Sequence, residues 1–214
     1  MSPDDIAKYL RTHPQFFDEH PELLESIYVP HPHSGRTIAL TERQILGLRD
    51  KTKTLEAKLS ELVRLGAEND AISEKVHRLS LALIGAKDSA SCVQAIYFHL
   101  REDFAVPHVA LRIWGKTLPE GTPEGAAVDN ALRASVDAMG APQCGPASGS
   151  PFLAWFADAQ PHVRSVALIP LGQTRAFGLL AFGAEDAQRF YPGMGTLFLR
   201  RIGELTAGAL AARL

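Results

Sequence analysis

Chemistry in this chain would have to come from its histidines, its two cysteines, or a few cations set among aromatic side chains. His13, His20, His31 and His33 gather near the N-terminus. Imidazole is a common ligand for zinc and similar ions. No cysteine or acid stands at ligand spacing beside them, however, and Pro32 between His31 and His33 fixes an extended turn. Surface or structural roles are expected for these histidines, and no metal site is assigned. A reactive thiol needs its pKa lowered by a helix N-terminus or a nearby cation. Cys144 sits in Gln143-Cys144-Gly145-Pro146, a loop expected to border a concave face, while Cys92 lies on an apolar helix face and reads as core.

Arg112 and Trp114 alternate onto one face of a strand, and Phe152 and Trp155 follow in a short segment further on. A few polar groups among aromatics is the make-up of a small-molecule site. Arg112, Trp114, Cys144, Phe152 and Trp155 therefore form the candidate ligand set. The same residues also read as ordinary core, with Arg112 paired to a carboxylate such as Asp158. No nucleophile elbow, metal-protease motif or phosphate-cradling glycine loop is present. Gly193-Met194-Gly195 opens a helix, where an anion could bind, but it is expected to be a close-packing turn before that helix. No catalytic residue is assigned, and no cofactor is named.

The elements that must position these residues follow from hydrophobic spacing. Ser2-Pro3 joins an N-cap residue to a proline, a helix-start pairing. His13-Pro14 and His20-Pro21 repeat the device, so residues 3 to 28 read as two or three short helices. Their Phe16, Phe17, Leu23 and Leu24 are expected to pack on a partner or on the long helix. Val29 to Arg36 reads as a loop, and Thr41 with Gln44 forms a capping box. Ile45, Leu48, Thr52, Leu55, Leu59, Leu62, Leu65, Asn69, Ile72, Val76, Leu79 and Leu83 then recur by threes and fours, with no proline between Leu40 and Leu83. Such a seam predicts a long coiled-coil helix, with Asn69 setting register and Gly85 ending it.

A helix is expected over 88–104 with Val93, Ile96, Tyr97 and Leu100 inward, and a strand over 106–114 whose Val109, Leu111 and Ile113 share one face. Gly125 to Met139 has helical spacing. Gly140 to Pro151 reads as a loop, and Phe152 to Phe156 as a short helix or strand. Val163 to Leu171 and Ala176 to Gly183 predict a hairpin. Tyr191 to Leu214 predicts a terminal helix, with Phe198, Ile202, Leu205 and Ala209 on its stripe. The boundaries expected are 1–39 for the N-terminal helical segment, 40–85 for the long helix and 86–214 for a compact domain. The class is α+β, with helices flanking a mostly antiparallel sheet.

Composition narrows the partners. The 214 residues carry 22 basic and 24 acidic side chains, a net charge of -2. A protein that neutralises many phosphates carries a basic excess or face, so nucleic acid is not predicted as a partner. No apolar run reaches the length needed to span a bilayer, and the N-terminus lacks the order of a signal peptide. With two unpaired-looking cysteines and no disulfide framework, a cytoplasmic location is expected.

The strand pair SVALIPL and AFGLLAFGAED, followed by Arg189-Phe190 and a terminal helix, resembles a GAF-type domain, a sensory relative of the PAS fold. Nearly the whole chain is similar to a bacterial family known as domain of unknown function 484. The resemblance is carried by IAKYLRTHPQFFDEHPELL, VPHPHSGRTIALTERQ, AEND and SVALIPL with FGLLAFGAEDAQRFYPGMGTLFL. It implies a GAF-like C-terminal domain in which the terminal helix lies beside the incoming one, often in a dimer bundle. It brings no activity and no site residues. The Asn-Lys, Phe, Asp-Glu signature of cyclic-nucleotide-binding GAF domains and the Cys-His setting of a bilin are absent. The leading expectation is a non-enzymatic, homodimeric sensory or adaptor module, dimerised through the long and terminal helices, with a small molecule in its pocket biasing the coiled coil. The alternatives are a ligand-free scaffold using the N-terminal segment to bind a protein partner, and a thiol-dependent redox enzyme using Cys144.

Overall fold

The computed structural model describes residues 2–30, 37–115, 118, 121–172 and 174–214. Two compact units divide the chain, residues 1–67 and 68–214, and the boundary falls inside the long helix.

In the first unit, α1 (Pro3–Thr12) opens on Ser2, whose hydroxyl accepts from the Asp5 amide while the Asp5 carboxylate accepts from the Ser2 amide. This reciprocal cap is worth about 1 kcal/mol. His13 ends α1, and α2 (Phe16–Glu19) and α3 (Pro21–Ser26) follow, with Pro21 in a first helical position. Phe16 and Phe17 are half-buried among themselves and their neighbours: Tyr9 stacks on His13 at 4.4 Å, and Phe16 meets Phe17 at 5.5 Å and His20 at 5.0 Å.

The expected loop at Val29 is in part a strand pair, for β1 (Tyr28–Pro30) runs antiparallel to β2 (Thr37–Ala39). His31 and His33 lie outside the described residues, as does the Thr41 side chain of the expected capping box. The long helix α4 (Leu40–Gly85) starts one residue before Thr41 and stops at the expected glycine.

The leucine seam does not have one environment. Ile45, Leu48, Leu55, Leu59 and Leu62 are exposed, whereas Leu79 and Leu83 are sealed in the core of the second unit. The heptad spacing predicts a partner-facing role for all of them. In the last turns of α4, that stripe is instead covered by the chain's own domain.

The second unit is layered. Asp88 caps α5 (Ser89–Glu102), accepting from the Ser91 amide at 2.8 Å. β3 (His108–Ile113) comes next, then a short 3-10 turn at Pro123–Gly125 and α6 (Asn130–Asp137). Part of the expected loop after Gly140 is β4 (Gln143–Pro146), paired with the neighbouring strand, Cys144 opposite Ala167. Short runs without clear alternation, such as Gln-Cys-Gly-Pro, carry little strand signal of their own, so pairing decides the outcome here. A 3-10 segment at Leu153–Ala159 is broken at Ala157, which holds φ 46°. The predicted hairpin is β5 (Ser165–Leu171) and β6 (Gly178–Ala184), and α7 (Leu197–Ala211) closes the chain. The terminal helix begins six residues later than its spacing suggests, because residues 191–196 turn around Gly193 at φ 85°.

The sheet order is β3-β6-β5-β4, antiparallel throughout. Because side chains alternate, one face presents Val109, Leu111, Ile113, Ile169, Leu180 and Phe182 to α5, α7 and the end of α4. The other presents Ala110, Trp114, Val166, Leu168 and Leu179 to α6 and the Phe152–Phe156 segment. Arg213 joins the ends of α4 and α7: its guanidinium donates to the carbonyls of Leu83 and Ala86, each at 2.9 Å. A cation over the unpaired carbonyls of a helix C-terminus is favourable.

Candidate functional site

Of the candidate ligand set, Arg112 and Trp155 line one cleft. Arg112 alternates onto the face of β3 opposite the aliphatic one, as the strand period requires. Its guanidinium lies over the Trp155 ring at 5.4 Å, and Nη1 donates to the Leu111 carbonyl at 3.0 Å. No carboxylate among the described residues lies within 4.0 Å of it, Asp158 included. Both side chains line a cleft of about 630 Å³ between α5, β3 and the 3-10 turns.

The other three candidates lie elsewhere. Trp114 is buried in the core beneath α6, where its indole N–H donates to the Ala176 carbonyl at 2.9 Å. It is thereby a structural residue whose polar tip is spent. Phe152 is buried in the same core and meets Trp155 edge-on at 5.1 Å, so it supports the cleft wall from behind. Cys144 is on the opposite face of the sheet, packed against the core that holds Cys92. Both thiols are free, and burial pushes both upward in pKa, away from a reactive thiolate.

Two cleft residues carried no usable signal in the sequence. Glu124 sits in a Pro-Glu-Gly turn, where acids are common on solvated surfaces, yet it is only 8% exposed. Tyr97 reads as a core position on the α5 stripe, yet its hydroxyl donates to Glu124 Oε1 at 2.9 Å. Burial, with the Glu124 charge next, pushes the Tyr97 phenol well above its usual range, so it remains a donor. Phe98, Arg101 and Val109 complete the near wall, with the Arg101 guanidinium over the Tyr97 ring at 5.5 Å.

Asp103, at the end of α5, accepts from His99 Nδ1 at 2.6 Å and from Arg78 of α4 at 3.0 Å. These hydrogen bonds, His99 first and Arg78 second, hold its carboxyl below the usual range. The helix that forms one wall of the cleft is thus tied by charge to the end of α4. His13 and His20 make local contacts only, and among the described residues no group of three or more His, Cys, Asp or Glu is placed to hold a metal. No described helix is long and apolar enough to cross a membrane.

A four-stranded antiparallel sheet with the leading and terminal helices on one face is the GAF arrangement. The fold is similar to that of the GAF domain of Aquifex aeolicus NLH2 (described as the "A. Aeolicus nlh2 gaf domain in an inactive state"), with a TM-score of 0.51 at 14% identity. That likeness covers 68% of this chain and 99% of the other, and at this identity it speaks to the fold alone. Within that fold class the chain belongs to the family described as "Protein of unknown function, DUF484", whose model matches residues 1–213. It is 26% identical over 206 residues to "Uncharacterized protein YigA" of Salmonella typhimurium, spanning 92% of this chain and 86% of the relative. The Escherichia coli K12 protein of the same description is also 26% identical, over 204 residues.

Proposed function

We propose that this chain is a sensory or adaptor module with no catalytic step, that it works as a homodimer in the cytoplasm, and that the Arg112–Trp155 cleft takes a small molecule. The observation that carries the reading is Arg112 itself: a guanidinium 5.4 Å from the centre of an indole ring, in a cleft, with no carboxylate partner among the described residues. A cation left unpaired beside apolar walls is a recognition element for an anionic group. Dimerisation rests on the exposed stripe Ile45 to Leu65, whose spacing suits a second identical helix. Coupling between cleft and helix runs through α5, because Asp103 of that region is bonded to Arg78 of α4. A ligand that draws on Arg112 and Trp155 and shifts α5 would bias that bond.

Native mass spectrometry of protein purified without added ligand tests the reading. The expected spectrum is a dimer with a bound small-molecule mass that disappears in Arg112→Ala. A monomer at micromolar concentration removes the dimer. A bound mass that survives Arg112→Ala removes this cleft.

A ligand-free scaffold is the second reading, favoured by α1, none of whose residues is buried and whose Ile6 and Tyr9 remain exposed. A protein partner that still binds after removal of residues 1 to 36 would exclude it.

A further inference from the structure

We propose that the cleft recognises the zwitterionic head of an apolar α-amino acid, carboxylate on Arg112 and ammonium on Glu124, with the side chain against Trp155 and Phe98. The inference rests on the cleft reading above and deepens it. Its basis is a pair of opposite charges that face one cleft without neutralising each other. Arg112 spends one N–H on the Leu111 carbonyl and leaves the rest of its fork free for a planar anion. Glu124 is more than nine-tenths buried, and the only bond to its carboxylate among the described residues is that from the Tyr97 hydroxyl at 2.9 Å. No cation of the described residues pairs with it, since Arg101 is turned onto the Tyr97 ring.

A buried carboxylate without a cation is costly unless something completes it. Arg112 does not do so by direct pairing, for no ion pair among the described residues joins the two. A ligand carrying both an anion and a cation on one carbon satisfies the two residues at once. A bare carboxylate would leave Glu124 unmatched, and a phosphate would be repelled by it. The walls are apolar where the head group does not reach, with Trp155 and Phe98 lining the space. A volume of about 630 Å³ accommodates a residue of the size of leucine or phenylalanine with water to spare.

Isothermal titration calorimetry on the full chain tests this, using L-leucine and L-phenylalanine. Each is compared with its own deaminated analogue (4-methylpentanoate, 3-phenylpropionate) and decarboxylated analogue (3-methylbutylamine, 2-phenylethylamine). At least one amino acid is expected to bind about 10- to 100-fold more tightly than either of its analogues, the factor for losing one charge-assisted hydrogen-bond set. Arg112→Gln should weaken that amino acid by a similar factor and leave the amine unchanged. Glu124→Gln, which keeps an acceptor for Tyr97, should weaken it while leaving the deaminated acid unchanged. The comparison of analogues on the unaltered protein needs no variant to fold. Neither amino acid outbinding its deaminated analogue overturns the proposal. If a co-purifying, Arg112-dependent mass is then found that is not an amino acid, the cleft reading stands and only this assignment falls.

Discussion

Leu59→Ala separates the two environments of the long helix and tests dimerisation directly. Leu59 is 62% exposed in the single chain, so most of its burial remains to be gained from a partner. Fully burying a leucine is worth about 1.5–3 kcal/mol. With that residual exposure, and with most of the side chain removed by alanine, about 1–1.5 kcal/mol is lost per protomer. A two-fold symmetric pair loses it twice, about 2–3 kcal/mol, or roughly a 30- to 150-fold increase in Kd. Sedimentation velocity across a dilution series reads that shift. Because Leu59 belongs to neither core cluster, the urea midpoint of the second unit should not move. Leu79 supplies the contrast. It is 0% exposed within the chain, and Leu79→Ala should cost about 2–5 kcal/mol of unfolding free energy. An unchanged Kd for Leu59→Ala, beside a dimeric parent, would refute the seam and require another interface.

Four further outcomes follow from the geometry. Gly203 of α7 faces β5, and a Cβ there would come within 2.6 Å of Ile169 Cγ2, so Gly203→Ala should destabilise the unit by about 2 kcal/mol. Gly208→Ala on the same helix meets nothing within 4 Å and should stabilise by about 0.5 kcal/mol, both read by denaturant unfolding. Asp103 has its carboxyl held low by His99 and Arg78, so its contribution is present above the ordinary carboxylate range and is lost as pH falls through its depressed pKa. Asp103→Asn should therefore lower stability at neutral pH and flatten the acid limb of the stability profile; an unaltered limb would count against the network. Burial raises the Cys144 thiol, so its thiolate fraction at pH 7 is below that of free cysteine. Iodoacetamide should alkylate it more slowly than a free thiol, and faster alkylation would revive a thiol mechanism.

Local rules made the elements legible: Ser2 as a cap, Gly85 as a stop, and the alternation that turns Arg112 away from Leu111 and Ile113. Each depends on residues within a few positions of one another, which is the range over which backbone hydrogen bonds and strand alternation act. The order of helix, strand and hairpin followed from the same periodicities, and the GAF likeness from the resemblance of the hairpin and the segment after it. What a side chain meets across the fold is not local. Leu59 and Leu79 stand on the same apolar seam, yet one is exposed and the other buried, because only the end of α4 is covered by α5 and α7. Trp114 and Trp155 were equal candidates until the sheet sealed one beneath α6 and left the other under a guanidinium. Cys144 lost its place in the cleft when β4 paired with β5 and turned the thiol toward the helical layer. Glu124 gained one through a bond to Tyr97, 27 residues earlier in the chain. Spacing determines which residues share a face; only chain-distant packing decides what lies opposite that face, and so which side chains line the cleft.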